Sequence, residues 1–173
     1  MFDIPIHPVV VHFPLVLAAF LPLAVLGALW SGLRFGKGRK YWIIVVVVNA
    51  LLFGSSFLAV QAGEKDEETV EDVLLSKVPL ETHSDKAEFF LVLTGGALLV
   101  TTMGLVPGIL GMSGKILGGL ASLWILLLGL QVGHTGGALV YKHGAASAFV
   151  AGKTTGSPGY SPHIGKAKEK DDD

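Results

Sequence analysis

With 173 residues, 51% of them apolar and only 16% charged, the chain has the length of one domain but not the composition of a soluble one. The lack of cysteine excludes disulfides, thiolate metal ligands and a covalently attached haem. A formal net charge of -1 points to no nucleic-acid partner, and charge is informative only through its distribution along the chain.

The chain opens with Ile6-His7-Pro8-Val9-Val10-Val11-His12-Phe13-Pro14, two histidines and two prolines at the mouth of an apolar run that continues to Trp30. Histidine is rare inside lipid, and a neutral imidazole both carries protons and ligates metals, so this mouth is a candidate site. Pro8 suits a first helical position, where its missing donor matters least. Pro14 and Pro22 deprive the carbonyls of Val10 and Ala18 of their helical partners, which calls for a protein or cofactor neighbour on that side. Met1-Phe2-Asp3 offers no basic segment ahead of the run, so the first span is expected to stay in the mature chain and not act as a cleaved signal.

Four segments, Val9 to Trp30, Tyr41 to Ala62, Glu88 to Val106 and Ile116 to His134, each approach the ~20 residues needed to cross about 30 Å of hydrocarbon. The expected fold class is therefore all-α, an integral membrane four-helix bundle. Arg34, Lys37, Arg39 and Lys40 lie between the first two spans with no acidic residue among them, which places that loop in the cytoplasm and both termini outside. Trp30, Tyr41 and Trp42 frame the loop as an interfacial aromatic belt. In the second span Asn49, Ser55 and Ser56 read as hydrogen-bonding groups between helices.

Composition turns acidic from Glu64 to Lys86, where Val70, Val73, Leu74 and Val78 recur at helical spacing. The expectation is a short amphipathic helix lying on the outer membrane surface, its carboxylates forming a solvated face or, as the alternative, a dock for a basic partner such as a soluble periplasmic cytochrome. The third span is expected to begin after Thr82-His83-Ser84, with Thr82 or Ser84 as its cap, and to end at Pro107-Gly108. A short connection whose only charge is Lys115 leads to the fourth span. Eighteen residues at 1.5 Å each cover about 27 Å, so His134 should emerge near the outer surface, where Gly136-Gly137 is expected to interrupt the helix. Residues 1-145 form the expected membrane domain and residues 146-173 a disordered tail that includes His163.

This topology gathers His7, His12, His83, His134 and His143 on the outer side. Residues five apart on a helix point about 140° away from each other, so His7 and His12 cannot face one metal from an intact helix. His12, about 33 Å of helix from Arg34, is expected to point into the bundle and His7 to sit at the interface. Gly133 and Gly129 leave bare backbone beside His134. The spans bury no Asp, Glu, Lys or Arg, which speaks against a pump or channel, and no hydrolytic triad, zinc-protease motif or phosphate loop appears, so the chain is not expected to be an enzyme on its own.

His7-Pro8 with Val11-His12-Phe13-Pro14, a histidine before the third span, and Gly133-His134-x-Gly136-Gly137-x-Leu139-Val140-Tyr141-x-His143-Gly144 together resemble the bacterial four-helix membrane family called domain of unknown function 2231. The resemblance covers roughly residues 4 to 145. It implies a cytochrome-like electron carrier of the bacterial inner membrane, with both termini and the histidines on the periplasmic side and one or two b-type haems held by paired imidazoles. His12 and His134 are the expected first pair, His83 the replacement for either, and His7 or His143 the completion of a second. The alternatives are a copper or zinc protein using His12, His134 and His83, and a structural subunit of a larger respiratory or photosynthetic complex.

Overall fold

The computed structural model describes residues 6-36 and 38-150. These form a short α1 (His7–Val10), four long helices α2 (His12–Phe35), α3 (Gly38–Glu71), α4 (Val78–Met103) and α5 (Gly108–Tyr141), and a final turn α6 (Ser147–Val150). All four long helices are long and apolar enough to cross a membrane, α1 and α2 together counting as one span. Each packs against two others, α2 on α3, α3 on α4, α4 on α5 and α5 back on α2, while the diagonals α2 with α4 and α3 with α5 stay apart among the described residues. The result is an up-down-up-down bundle with its axis between the diagonals.

The bundle is apolar outside and partly polar inside. Phe13, Val16, Phe20, Leu23, Leu99 and Trp124 point outward, as lipid-facing side chains do, while Asn49, Ser56, Thr94, Thr101 and Ser122 are buried. Most of these polar groups find partners there, although the Asn49 side-chain oxygen has none among the described residues. The Asn49 amide donates across the α3–α4 interface to the Thr101 hydroxyl at 3.2 Å, as the sequence led one to expect of it. The hydroxyls of Ser55 and Ser56 instead donate to the Leu52 carbonyl within their own helix.

Both hairpin turns at the basic end depend on glycine. Gly36 closes α2 in the left-handed conformation (φ 66°), donating to the Gly32 carbonyl at 3.1 Å. A methyl group on Gly32 would meet the Gly38 Cα at 3.1 Å, so α2 and α3 touch backbone to backbone there. In the second turn, side chains on Gly111 or Gly114 would run into the backbone of Val106 or Gly104. Above that turn Trp42 departs from the expected belt. Trp30 is 68% exposed, as a belt residue should be, but Trp42 is fully buried and its indole nitrogen donates to the Thr101 carbonyl at 2.8 Å. Gly104 supplies the space, since a Cβ there would press on its ring, while one on Gly118 would press on the Thr101 methyl beside it.

At the opposite end three expectations need correction. Residues 64-86 form no separate surface helix. The acidic stretch to Glu71 continues α3, and α4 begins at Val78 with Pro79 in its first turn and no side-chain cap, ahead of Thr82 and Ser84. Thirty-four residues of α3 reach about 51 Å, well beyond the hydrocarbon thickness, so its acidic end stands in water. Gly136-Gly137 does not interrupt α5, which runs on to Tyr141. Neighbouring helices support the chain through these glycines: Val70, Leu80, Leu139 and Ala145 form a second buried cluster, joined by Leu74, Ala148 and Phe149. The fold therefore continues past residue 145 into α6, which packs on α3. His163 and most of the proposed tail lie outside the described residues.

Candidate histidine site

The end of the bundle opposite the basic turns holds the histidines, and the structure sorts them differently from the sequence expectation. His7, at the start of α1, and His83, in the second turn of α4, are half-buried with ring centres 6.2 Å apart and planes at 85°. They come from the diagonal pair of helices, so they meet across the bundle axis at its mouth. His12 and His134 are exposed, and so is His143 in the turn after α5. The expected orientation of His7 and His12 is thus reversed. Val11, between α1 and α2, keeps helical dihedrals, and from this nearly continuous helix His12 projects outward while His7 lies over the bundle. The two side chains thus take different sides of the helix, as a five-residue spacing requires.

The hydrogen bonds of the two rings fix their chemistry. His7 Nδ1 lies 2.9 Å from the Ala59 carbonyl oxygen in α3. A carbonyl only accepts, so His7 Nδ1 carries the proton and donates it. His83 Nδ1 lies 3.0 Å from the Thr135 hydroxyl in α5, and that hydroxyl is 3.0 Å from the Val132 carbonyl and 3.2 Å from that of Gln131. When Thr135 directs its own proton to a helix carbonyl, it meets the ring with a lone pair and His83 Nδ1 donates. His7 is therefore held as the Nδ1–H tautomer, and in the arrangement in which Thr135 bonds to its own helix His83 is too. In the neutral form each then carries a bare Nε2, and neither Nε2 bonds to a described residue. An imidazole anchored through one nitrogen and open at the other is the arrangement of a metal ligand with its supporting acceptor.

Two glycines shape the pocket. A Cβ on Gly63 would sit 3.1 Å from His7 Cε1 and Nδ1, and one on Gly136 would sit 3.1 Å from His83 Cε1. Each histidine thus brings its Cε1 edge close to bare backbone on the other helix of its own hairpin. Gly136 belongs to a motif the sequence singles out, though for another reason. Thr135 sits inside the same motif unremarked, and Ala59 acts through a main-chain oxygen that no side chain advertises.

No group of three or more His, Cys, Asp or Glu side chains placed to hold a metal ion occurs among the described residues. The site is a two-nitrogen site. Two apolar grooves open on the lipid-facing surface, one between α4 and α5 beside Phe89 and Trp124, the other between α2 and α5 over Ala18 and Gly129, and neither is lined by a histidine. Compared with models of protein families, with curated proteins and with solved structures, the chain finds no match.

Proposed function

We propose that the protein is a membrane-embedded electron carrier that binds a b-type haem through His7 and His83. The observation that carries this reading is the pair of anchored imidazoles with open Nε2 atoms and ring centres 6.2 Å apart. Two imidazoles on opposite sides of one metal, each at a metal–nitrogen distance of about 2 Å, have ring centres roughly 6 Å apart. A site with only two protein donors suits haem iron, whose other four positions belong to the macrocycle, and suits zinc poorly, since zinc asks for three or four protein ligands. Bound haem would supply a one-electron couple. The protein's share is to fix both ring orientations through Ala59 and Thr135 and to keep the pair half out of water, which sets the potential.

The basic residues Arg34, Arg39, Lys40 and Lys115 at the far end favour an orientation with that end in the cytoplasm of a bacterium and the histidine pair on the periplasmic side of the inner membrane. The acidic end of α3, from Glu64 to Glu71, then stands beside the site as a docking surface for a basic soluble electron carrier.

One observation favours a second reading. Gly63 and Gly136 press α3 and α5 against the two rings, which leaves room for a bare ion more readily than for a macrocycle. A two-coordinate cuprous ion between opposed imidazoles meets that geometry. Purified protein supplied with haem separates the two: a Soret band that shifts on reduction supports the first, and a colourless protein that takes up one copper ion per chain replaces it with the second.

A further inference from the structure

The hydrogen bonds of the two histidines share a measure that chance does not require. Ala59 follows His7 by 52 residues, and Thr135 follows His83 by 52 residues. Aligning His83 with His7 without a gap extends the match along the whole hairpin. His7, Phe13, Leu15, Val16 and Leu17 fall on His83, Phe89, Leu91, Val92 and Leu93, a shared pattern of His, five residues, Phe, one residue, Leu-Val-Leu. Further on, Leu23 falls on Leu99, Leu29 on Leu105, Gly32 on Gly108, Gly38 on Gly114, Arg39 on Lys115, and Leu51-Leu52 on Leu127-Leu128.

Burial obeys the same register. Ala18 and Thr94, Leu21 and Ala97, Val25 and Thr101, and Asn49 and Ile125 are matched positions, and all eight side chains are buried. Trp42 and Gly118 are also matched and buried, and there the indole of one half lies against the glycine of the other. Volumes thus complement each other across the two halves, as they must once two copies of one sequence share a core. The packing is equivalent as well: α2 on α3 corresponds to α4 on α5, and α3 on α4 to α5 on α2.

We infer that the bundle is a tandem duplication of one histidine-bearing helical hairpin, and that the ligand is held on the resulting pseudo-two-fold axis by His7 and His83 as equivalent donors. Each hairpin contributes one imidazole and, at the matched positions Ala59 and Thr135, its hydrogen-bond partner from the second helix of the same hairpin; each also has a glycine seat, though Gly63 and Gly136 fall three positions apart in the register. A parallel repeat related by an axis along the membrane normal follows from the even number of spans in each half. The ligand is therefore a group that accepts two like nitrogen donors from opposite sides. Its identity as haem rests on the reading above; the axis does not.

The chain has no cysteine, so two can be introduced cleanly. In the full-length protein in detergent, His7→Cys with His83→Cys should be joined within one chain by a short bis-maleimide, read by mass spectrometry. The matched pair His12→Cys with Glu88→Cys, both exposed on diagonal helices, should not be. Failure of the first pair to cross-link, or equal cross-linking of the second, overturns the axis. Haem titration forms the second arm. His7→Ala and His83→Ala should each weaken binding by more than about tenfold and to a similar degree; a variant that binds as the parent does overturns the equivalence of the donors. Cross-linking as expected in the double-cysteine variant, together with a wild type that takes up no haem, overturns the haem reading and leaves the two-fold site in place.

Discussion

Replacing Gly136 by alanine separates a glycine that serves the site from one that only suits helix packing. The new methyl would lie 3.1 Å from His83 Cε1 and 3.6 Å from both ring nitrogens. Carbon atoms rest about 3.5 to 4.0 Å apart, so the ring has to retreat by roughly half an ångström. The bond from Nδ1 to Thr135, now 3.0 Å, would lengthen to about 3.5 Å, where a hydrogen bond is all but lost. That loss is worth about 1 kcal/mol to the fold, and alanine returns about 1 kcal/mol through its greater helix propensity, so stability should hardly change. The ligand responds differently, because loss of an acceptor behind a metal-bound imidazole lowers affinity by roughly ten- to a hundredfold. Gly63→Ala should act in the same way through His7. Gly137→Ala is the control, since nothing lies within 4 Å of its added carbon. Thermal unfolding in detergent and haem titration of the three variants measure both quantities. Wild-type affinity in Gly136→Ala and Gly63→Ala would refute the role given to these seats.

Other outcomes follow from the same contacts. Thr135→Val, which keeps the shape but removes the hydroxyl, should shift the absorption and midpoint potential of the bound group, and Thr135→Ser should restore them; identical spectra in all three would leave Thr135 a packing residue. His12→Ala and His134→Ala, alone or together, should leave ligand binding unchanged in titration, since both side chains point away from the axis. Trp42→Phe removes the donor to the Thr101 carbonyl in a fully buried position and should lower stability by about 1 to 2 kcal/mol, seen as an earlier unfolding midpoint, without moving the ligand spectrum. Lys77 hydrogen-bonds Glu71, and that bond together with the carboxylate's charge raises the ammonium pKa. A raised pKa contributes stability below the unfolded value and loses it only as pH rises through the folded one, so Lys77→Gln should leave the pH dependence of unfolding between about pH 6 and 8 the same as in the parent protein for this exposed pair.

Much of the fold is legible in the chain because lipid imposes strong rules. Apolar runs near twenty residues give four spans, Arg34, Arg39 and Lys40 mark a turn, and glycine and proline punctuate both hairpins. The boundaries at the acidic end are less legible. Glu64 to Glu71 can be helical either as an extension of α3 or as a separate surface helix, and only the cluster of Val70, Leu80 and Leu139 selects the extension. Gly136-Gly137 carries a breaker's composition, yet packing holds α5 through it. The repeat is present in the sequence but inconspicuous, since the matched positions that persist are few and most are the leucines of any membrane helix.

The sequence by itself determines that histidines collect at one end of a four-helix membrane bundle, away from the basic turns, and that His7 and His12 cannot serve one centre together. It does not determine which of them faces inward. In a soluble helix the apolar stripe would reveal the buried face, but here lipid wets the outside, both faces are apolar, and the phase of each helix is lost to inspection. Tertiary packing supplies it: the bare seats at Gly63 and Gly136 and the acceptors at Ala59 and Thr135 bring His7 to His83 and leave His12 and His134 outside. An acceptor made of backbone and a seat made of a missing side chain leave almost no trace in a sequence. The site is decided where two hairpins close on each other.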